Sequence, residues 1–143
     1  MKVMLTGGTG FIGGHLLKAL TSEGHDVRLL VRDAEKLERM IELQSIEAEV
    51  DYVIGDMADP ATVQASLEEC NACIHAAAFT SLDPSQMDQA LAVNGPGAQL
   101  ILDTAHQQGC DPIIHVSTMS VIFPPSGDLL SGEDPVHGGG NPY

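Results

Sequence analysis

The sequence has few basic residues, and it has none over most of its length. Six lysines and arginines stand against 20 aspartates and glutamates among 143 residues, which gives a formal net charge of −14. This sign disfavours binding to nucleic acid or to an anionic membrane surface. All six basic residues occur at or before Arg39. Any cationic contact to a negatively charged small molecule must therefore come from the first quarter of the chain.

Long hydrophobic runs are also missing. No apolar stretch approaches the ~20 residues that a transmembrane helix requires. The segment that starts at Met1 lacks the apolar stretch and the cleavage site of a signal peptide. Hydrophobic residues make up 43% of the chain, an ordinary value for a globular protein. Together with a length that suits one domain, these features predict a cytoplasmic enzyme or binding domain without a membrane partner.

The cysteines do not form an even-numbered set. There are three, Cys70, Cys73 and Cys110, which is not the pattern of a disulfide framework. The Cys70–Cys73 pair has C-x-x-C spacing, but its second cysteine opens an apolar strand-like run and no second pair follows. We interpret these cysteines as buried packing residues. The six histidines have no metal-ligand spacing, so no metal site is predicted.

Short apolar segments alternate with helix-length segments along the chain. The predicted strands are residues 2–6, 27–31, 50–54, 73–78 and 113–117, and the predicted helices are residues 11–22, 34–44, 60–69 and 84–108. We expect Pro96 to kink or split the last helix. Tyr52, in the third strand, is expected in the core. The nearly continuous apolar strands and short connections predict an α/β fold with a doubly wound parallel sheet, truncated after about five strands.

A glycine-rich turn, Thr6-Gly-Gly-Thr-Gly-Phe-Ile-Gly13, joins the first strand to the first helix. In this position it predicts a pyrophosphate-binding turn of a Rossmann fold. Gly7 permits a tight turn, Gly10 lets backbone N–H groups approach the phosphates, and Gly13 lets the helix pack closely. The helix dipole adds a preference for an anion. The cofactor-binding residues predicted here are Gly7, Thr9, Gly10, Phe11, Ile12 and Gly13.

The spacing Gly-x-x-Gly-x-x-Gly resembles the fingerprint of the extended short-chain dehydrogenase/reductase family, which includes epimerases, dehydratases and dihydroflavonol-type reductases. Further matches follow in family order: Gly55-Asp-Met57, His75-Ala-Ala-Ala78, Asn94, His115-Val-Ser-Thr118 and Asn141-Pro-Tyr143. The resemblance implies that Asp56 accepts a hydrogen bond from the adenine amino group beside Met57. It also implies that Ala76, Ala77 and Ala78 line the cofactor.

The end of the second strand bears on the choice of cofactor. An NAD-preferring site places an acid there to bind the ribose 2′-hydroxyl. By register, this position is Val31, followed by Arg32 and Asp33. Arg32 suits a 2′-phosphate, as in the reductase branch that the chain resembles, and Lys36 or Arg39 can add a second cation. We therefore predict NADP, with NAD as the alternative.

The resemblance also implies catalytic residues. Thr118 matches the hydroxyl that polarises the substrate carbonyl or alcohol, and Tyr143 matches the acid/base tyrosine. A lysine normally follows that tyrosine by four positions and lowers its pKa, and this sequence stops at Tyr143. We therefore expect residues 1–143 to be an incomplete NAD(P)-binding domain of a longer enzyme, inactive by itself.

The leading hypothesis is the cofactor-binding part of an NADP(H)-dependent oxidoreductase that acts on a small carbonyl or alcohol substrate and is a homodimer at full length. A nucleotide-sugar epimerase or dehydratase of the same family is the first alternative. A non-catalytic NAD(P)-binding or redox-sensing protein is the second.

Overall fold

The computed structural model describes residues 1–81, 83–124 and 126–137. Five parallel strands form one sheet in the order β3-β2-β1-β4-β5. The strands are β1 (Lys2–Thr6), β2 (Asp26–Val31), β3 (Asp51–Ile54), β4 (Ala72–His75) and β5 (Ile113–His115). The helices are α1 (Phe11–Ser22), α2 (Ala34–Gln44), α3 (Pro60–Leu67) and α4 (Met87–Gln107), with 3-10 turns at Pro84–Gln86 and Met119–Ile122. This is the predicted doubly wound Rossmann fold.

The central strands β1, β2 and β4 are covered on both faces, because α1 and α2 lie on one side of the sheet and α3 and α4 on the other. Side chains of β1 alternate between the two sides: Val3 and Leu5 pack with Leu17 of α1, and Met4 packs with Ile101 of α4. Successive side chains of a strand point to opposite faces, so a strand covered on both faces is apolar throughout. This explains why the strands read as continuous apolar runs in the sequence.

Aspartate side chains begin three of the helical segments. Asp33, Asp59 and Asp83 each accept a hydrogen bond from a backbone N–H two or three residues further on. Pro60 and Pro84 follow two of them, at positions where the missing N–H costs no hydrogen bond. Backbone donation from Ser85 holds the pKa of Asp83 below its usual value.

Helix α4 continues through Pro96, so one of the two expected effects of this proline, a split of the helix, is wrong. A proline removes the hydrogen bond to the carbonyl four residues earlier, here that of Ala92. Ala92 and Pro96 are both exposed, so water can hydrate that carbonyl. The hydrogen bond that the proline removes is therefore lost on the solvent-facing side of the helix.

Two further expectations are wrong in detail. Strand β4 ends at His75 rather than at residue 78, because the amides of Ala76 and Ala77 donate to the Thr6 hydroxyl. Tyr52 is 44% exposed rather than buried, because β3 is an edge strand. The end of β4 and the exposure of Tyr52 both depend on which strands are neighbours in the sheet. The local sequence does not contain that information.

The cysteines are free and buried, as predicted. Cys73, in β4, belongs to the core cluster on the side of the sheet that α3 and α4 cover. Burial raises the pKa of its thiol to about 12. Cys70 and Cys110 belong to the same cluster. In the part of the chain that the structure describes, no group of histidine, cysteine and acidic side chains is arranged to hold a metal ion. None of the described helices combines the length and apolar character needed to cross a bilayer.

Candidate functional site

The turn between β1 and α1 is closed by contacts that only glycine permits. Gly7 has a φ of +76°, and a Cβ atom there would lie 2.7 Å from the carbonyl carbon of Ala76. A Cβ atom at Gly13 would overlap the carbonyl oxygen of Gly7. The Gly10 N–H donates to that same oxygen at 2.8 Å. Gly13 was predicted to let the helix pack closely. In the structure, the group that it approaches is the Gly7–Gly8 backbone of the turn.

Helix α1 begins at Phe11 with no side chain capping it. Gly10 occupies the N-cap position, and no acidic residue lies in the first turn. The first N–H groups of a helix have no partner within the helix and carry the positive end of its dipole. Phe11 and Ile12 are exposed, Phe11 by 80%. Gly13, Gly14 and Leu17 form the buried face.

Two clefts adjoin the glycine turn. The smaller one, of about 200 Å³, opens at the carboxyl ends of β1, β2, β3 and β4. This is where the strand order reverses, since β1 is flanked by β2 on one side and β4 on the other. Open α/β sheets bind ligands at such a reversal. Nine of the predicted residues line it: Gly7, Thr9, Gly10, Arg32, Asp56, Met57, Ala76, Ala77 and Ala78.

Arg32 is the basic residue that lines the smaller cleft. It is exposed and follows Val31, whose apolar side chain ends β2 where an acid would face a ribose. Asp33 does not take that place, because its carboxylate accepts from the Lys36 N–H as the cap of α2. Lys36 itself lies on α2 and lines neither cleft, so the structure does not bring this predicted residue to the site.

The other arginines near the N-terminus are engaged elsewhere. Arg28 donates from Nε to Asp51 at 2.6 Å and from Nη1 to the carbonyls of Ala65 and Glu68. Arg39 lies 3.7 Å from Glu35 on the exposed face of α2. Among the described residues, Arg32 is therefore the one lysine or arginine that lines either cleft.

Asp56 and Met57 form the wall of the smaller cleft that follows β3. Asp56 is exposed, and its Oδ1 accepts from the Ala58 N–H at 2.9 Å. Asp56 lines the cleft, and its carboxylate has further capacity to accept a hydrogen bond. Met57 packs near Gly97 of α4, where a Cβ atom would lie 3.0 Å from the Met57 Cγ.

A larger cleft of about 680 Å³ continues from the same glycine turn. Gly7, Gly10, Ala76, Ala77 and Ala78 line both clefts, so the two meet along the loop after β4. Phe11, Ile12, Gly13 and Thr118 line only the larger one. A flat ligand can therefore pass from one cleft to the other between small side chains.

Thr118 caps the short turn after β5 and also lines the larger cleft. Its Oγ1 lies 2.9 Å from Ser120 Oγ and accepts from the Ser120 N–H at 3.3 Å. The second predicted catalytic residue, Tyr143, lies outside the described residues. The structure thus places Thr118 in the same cleft as Ala76, Ala77 and Ala78.

Sequence reasoning assigned no role to Thr6 and His75, yet both are buried at the junction of the clefts. Thr6 Oγ1 lies 2.7 Å from His75 Nδ1. His75 stacks on His115, with ring centroids 5.2 Å apart and planes at 12°. Burial, with a smaller contribution from the charge of His115, lowers the pKa of His75 to about 4. The sequence signal was that each residue begins one of the motifs that the chain shares with the family.

A family model described as the 3-beta hydroxysteroid dehydrogenase/isomerase family matches residues 4–137 of the chain. The chain belongs to this family. It is a branch of the extended short-chain dehydrogenases/reductases, as the motifs predicted.

Relatives with different activities match this family member. It is 31% identical over 122 residues to a 4-hydroxy-2-methyl-3-oxo-4-farnesyl-3,4-dihydroquinoline-1-oxide ketoreductase of Stigmatella aurantiaca, with 85% of this chain and 35% of the relative covered. It is 33% identical over 145 residues to a dTDP-glucose 4,6-dehydratase of Streptomyces antibioticus, with 96% and 42% covered. The chain thus spans between a third and a half of the length of these relatives.

A solved structure shares the fold over the whole chain. The UDP-glucose 4-epimerase of Bifidobacterium longum, in complex with NAD+ and UDP, superposes with a TM-score of 0.81 at 24% sequence identity. The match covers 100% of this chain and 44% of the epimerase. At this identity the likeness establishes the fold.

Proposed function

We propose that the chain binds NADP(H) across the two clefts, as the cofactor-binding part of an oxidoreductase that acts on a carbonyl or alcohol. The observation that carries the proposal is that Val31 and Arg32, consecutive in the chain, line the same cleft as the glycine turn. An apolar residue followed by an arginine cannot bind a ribose 2′-hydroxyl as an acid does, but it can accommodate a 2′-phosphate. The NAD+ held by the epimerase of the same fold supports a nicotinamide dinucleotide in general.

The residues present fit such a cofactor in three places. The uncapped start of α1 and the Gly7–Gly13 cradle, which a Cβ would fill, suit a pyrophosphate. Asp56 and Met57 suit an adenine ring, with the carboxylate as acceptor for the amino group. The alanines of the β4 loop, with Phe11 and Ile12, suit the flat nicotinamide end in the larger cleft.

The reaction proposed for the whole enzyme is a carbonyl–alcohol interconversion. The bound cofactor supplies or accepts a hydride at the substrate carbon. Thr118 donates a hydrogen bond to the substrate oxygen and so stabilises negative charge that develops there. Tyr143 exchanges a proton with that oxygen as the carbonyl becomes an alcohol or the reverse. Thr118 suits this role because it lines the larger cleft together with Ala76–Ala78.

Two alternatives have their own support. A nucleotide-sugar epimerase or dehydratase that uses NAD is favoured by the 33% identity to a dTDP-glucose 4,6-dehydratase. A non-catalytic NAD(P)-binding or redox-sensing role needs only the clefts. The predicted cytoplasmic location and homodimer remain predictions, and light scattering of the purified protein tests the dimer.

Calorimetric titration with NADPH and NADH tests the proposal. We expect the wild type to prefer NADPH and Arg32→Ala to weaken NADPH binding about tenfold while leaving NADH binding unchanged, because a cation is lost from the 2′-phosphate alone. Lys36→Ala should have a smaller effect. Arg39→Ala is the matched control, since this arginine pairs with Glu35 away from the clefts.

Each other outcome has a clear meaning. Equal or tighter binding of NADH would contradict the NADP assignment and favour the epimerase or dehydratase branch. Absence of binding by either dinucleotide would contradict the binding proposal itself. Carbonyl reduction that survives Thr118→Val unchanged would contradict the role proposed for the hydroxyl.

A further inference from the structure

The Thr6 hydroxyl is the centre of a hydrogen-bond network between β1 and β4. Its oxygen lies 2.7 Å from His75 Nδ1, 3.2 Å from the Ala76 amide nitrogen and 3.1 Å from the Ala77 amide nitrogen. Thr6 and His75 are each 1% exposed. Water therefore has little access to the hydrogen bond between Thr6 and His75, whereas the two from Ala76 and Ala77 are part-buried.

Counting donors and acceptors determines where the hydroxyl proton lies. A hydroxyl group has one proton and two lone pairs. The amides of Ala76 and Ala77 can only donate, so they occupy both lone pairs of the Thr6 oxygen. The proton must then go to His75 Nδ1, which has to be unprotonated to accept it. His75 is thus neutral, with its ring proton on Nε2.

This arrangement sets the direction of the loop that lines both clefts. Ala76 and Ala77 are the first residues beyond β4, and their amides turn towards Thr6 instead of continuing the strand ladder. The same loop meets the glycine turn, because the backbone of Ala76 lies against Gly7. An error of orientation at Thr6 would therefore shift the alanines relative to the glycine turn.

We propose that His75 is a positioning residue for the dinucleotide site, acting as the acceptor that orients the Thr6 hydroxyl towards the Ala76 and Ala77 amides. The inference rests on the proposed function, since it assigns a cause to the shape of the cofactor clefts. His75 need not touch the cofactor to do this. An apolar side chain of similar size would fill the same space but would leave the hydroxyl proton without its acceptor, at a cost in a buried site.

Two His75 variants separate hydrogen bonding from packing. Leucine keeps apolar volume and removes the acceptor. Asparagine is smaller, but its Oδ1 lies the same number of bonds from the backbone as His75 Nδ1 and can accept from Thr6. Packing alone predicts that His75→Leu is the better-tolerated change, whereas the proposed role predicts the reverse. Thr104→Val is the matched control, because this buried threonine donates to the Leu100 carbonyl within α4 and lines neither cleft.

NADPH titration and amide hydrogen exchange are then measured on the folded variants. We expect His75→Leu to raise the Kd for NADPH about tenfold or more, and His75→Asn to remain within about threefold of wild type, as for one buried hydrogen bond. The Ala76 and Ala77 amides of His75→Leu should exchange about tenfold faster without ligand. Thr104→Val should change neither quantity, and heteronuclear NMR of the wild type should show His75 protonated at Nε2 only.

Several results would overturn the inference. It is wrong if His75→Leu binds NADPH like the wild type, if His75→Asn is the weaker binder, or if NMR shows a proton on Nδ1. If the wild type binds no dinucleotide, the proposed function fails. In that case faster exchange at Ala76 and Ala77 in His75→Leu still supports the orienting contact, and unchanged exchange refutes it.

Discussion

Asn94, on helix α4, binds both backbone polar groups of Phe79. Its Oδ1 accepts from the Phe79 N–H at 2.7 Å, and its Nδ2 donates to the Phe79 carbonyl at 3.1 Å. Phe79 belongs to the loop after β4, three residues beyond Ala76. The loop that lines both clefts is thus held at its start by Thr6 and further along by Asn94. Its shape depends on two side chains from different elements.

Replacing Asn94 by alanine should destabilise the protein and weaken dinucleotide binding. The change leaves the half-buried Phe79 N–H and carbonyl without these partners, so we expect a loss of about 1–3 kcal/mol in the free energy of unfolding. Urea unfolding measures it. Gln99→Ala is the control on the same helix, where an exposed amide donates to Asp103 at 2.7 Å and a change within about 0.5 kcal/mol is expected. Equal effects of the two changes would contradict the holding role of Asn94.

Gly13→Ala should weaken dinucleotide binding and destabilise the protein. The added methyl group would overlap the Gly7 carbonyl, so α1 must move away from the turn and the cradle opens. We expect a loss of several-fold or more in affinity together with a lower melting temperature.

Gly95→Ala is the control for the stability effect of this change only, because Gly95 lines the larger cleft. Gly95 also lies in a helix, but a Cβ atom there meets nothing within 4 Å. Alanine there gains helix propensity but precedes Pro96, whose ring disfavours the helical conformation of a preceding residue that has a Cβ atom. We therefore expect the free energy of unfolding to change by no more than about 1 kcal/mol. Calorimetric melting of both variants checks the pair, and the hypothesis is lost if Gly13→Ala melts and binds like the wild type.

Stability should decline as the pH falls from about 6.5 to about 4 because of His75. Its native pKa of about 4 lies below the ordinary value of 6.5, so the unfolded chain binds a proton in this window and the native chain does not. The contribution is fully present above pH 6.5 and is lost progressively on acidification, by about 3 kcal/mol at most. Urea unfolding at several pH values should show a steeper loss for wild type than for His75→Leu. Parallel curves would rule out the low pKa.

Asp51→Asn should lower stability at neutral pH and leave dinucleotide affinity unchanged. The hydrogen bond from Arg28 holds the pKa of Asp51 below its usual 3.8, and this pair lies at the amino-terminal end of β3, away from the clefts. The ion pair therefore stabilises the native state above that pH. Its contribution fades as the pH falls through the lower native pKa. The gap in unfolding free energy between wild type and variant should close on acidification, and a constant gap would contradict the assignment.

Local sequence patterns predicted much of the fold and most of the candidate site. The alternation of strands and helices and the glycine turn depend on neighbouring residues, and both appear in the structure. The residues predicted around the cofactor meet at one edge of the sheet because the carboxyl ends of parallel strands share that edge. Lys36 is the exception among the described ones: its spacing suggested a second cation, but α2 carries its side chain away from the clefts.

The sequence by itself determined the order of elements, the turn that only glycine can form, and the apolar end of β2 followed by Arg32. Only the tertiary structure decided which strands are neighbours, and with them the contacts made across the sheet. Thr6 and His75 are 69 positions apart and meet because β1 pairs with β4. Tyr52 is exposed because β3 is at an edge, and Phe11 is exposed because α1 starts at the rim of a cleft. These outcomes depend on long-range pairing, which no periodicity within a single segment encodes.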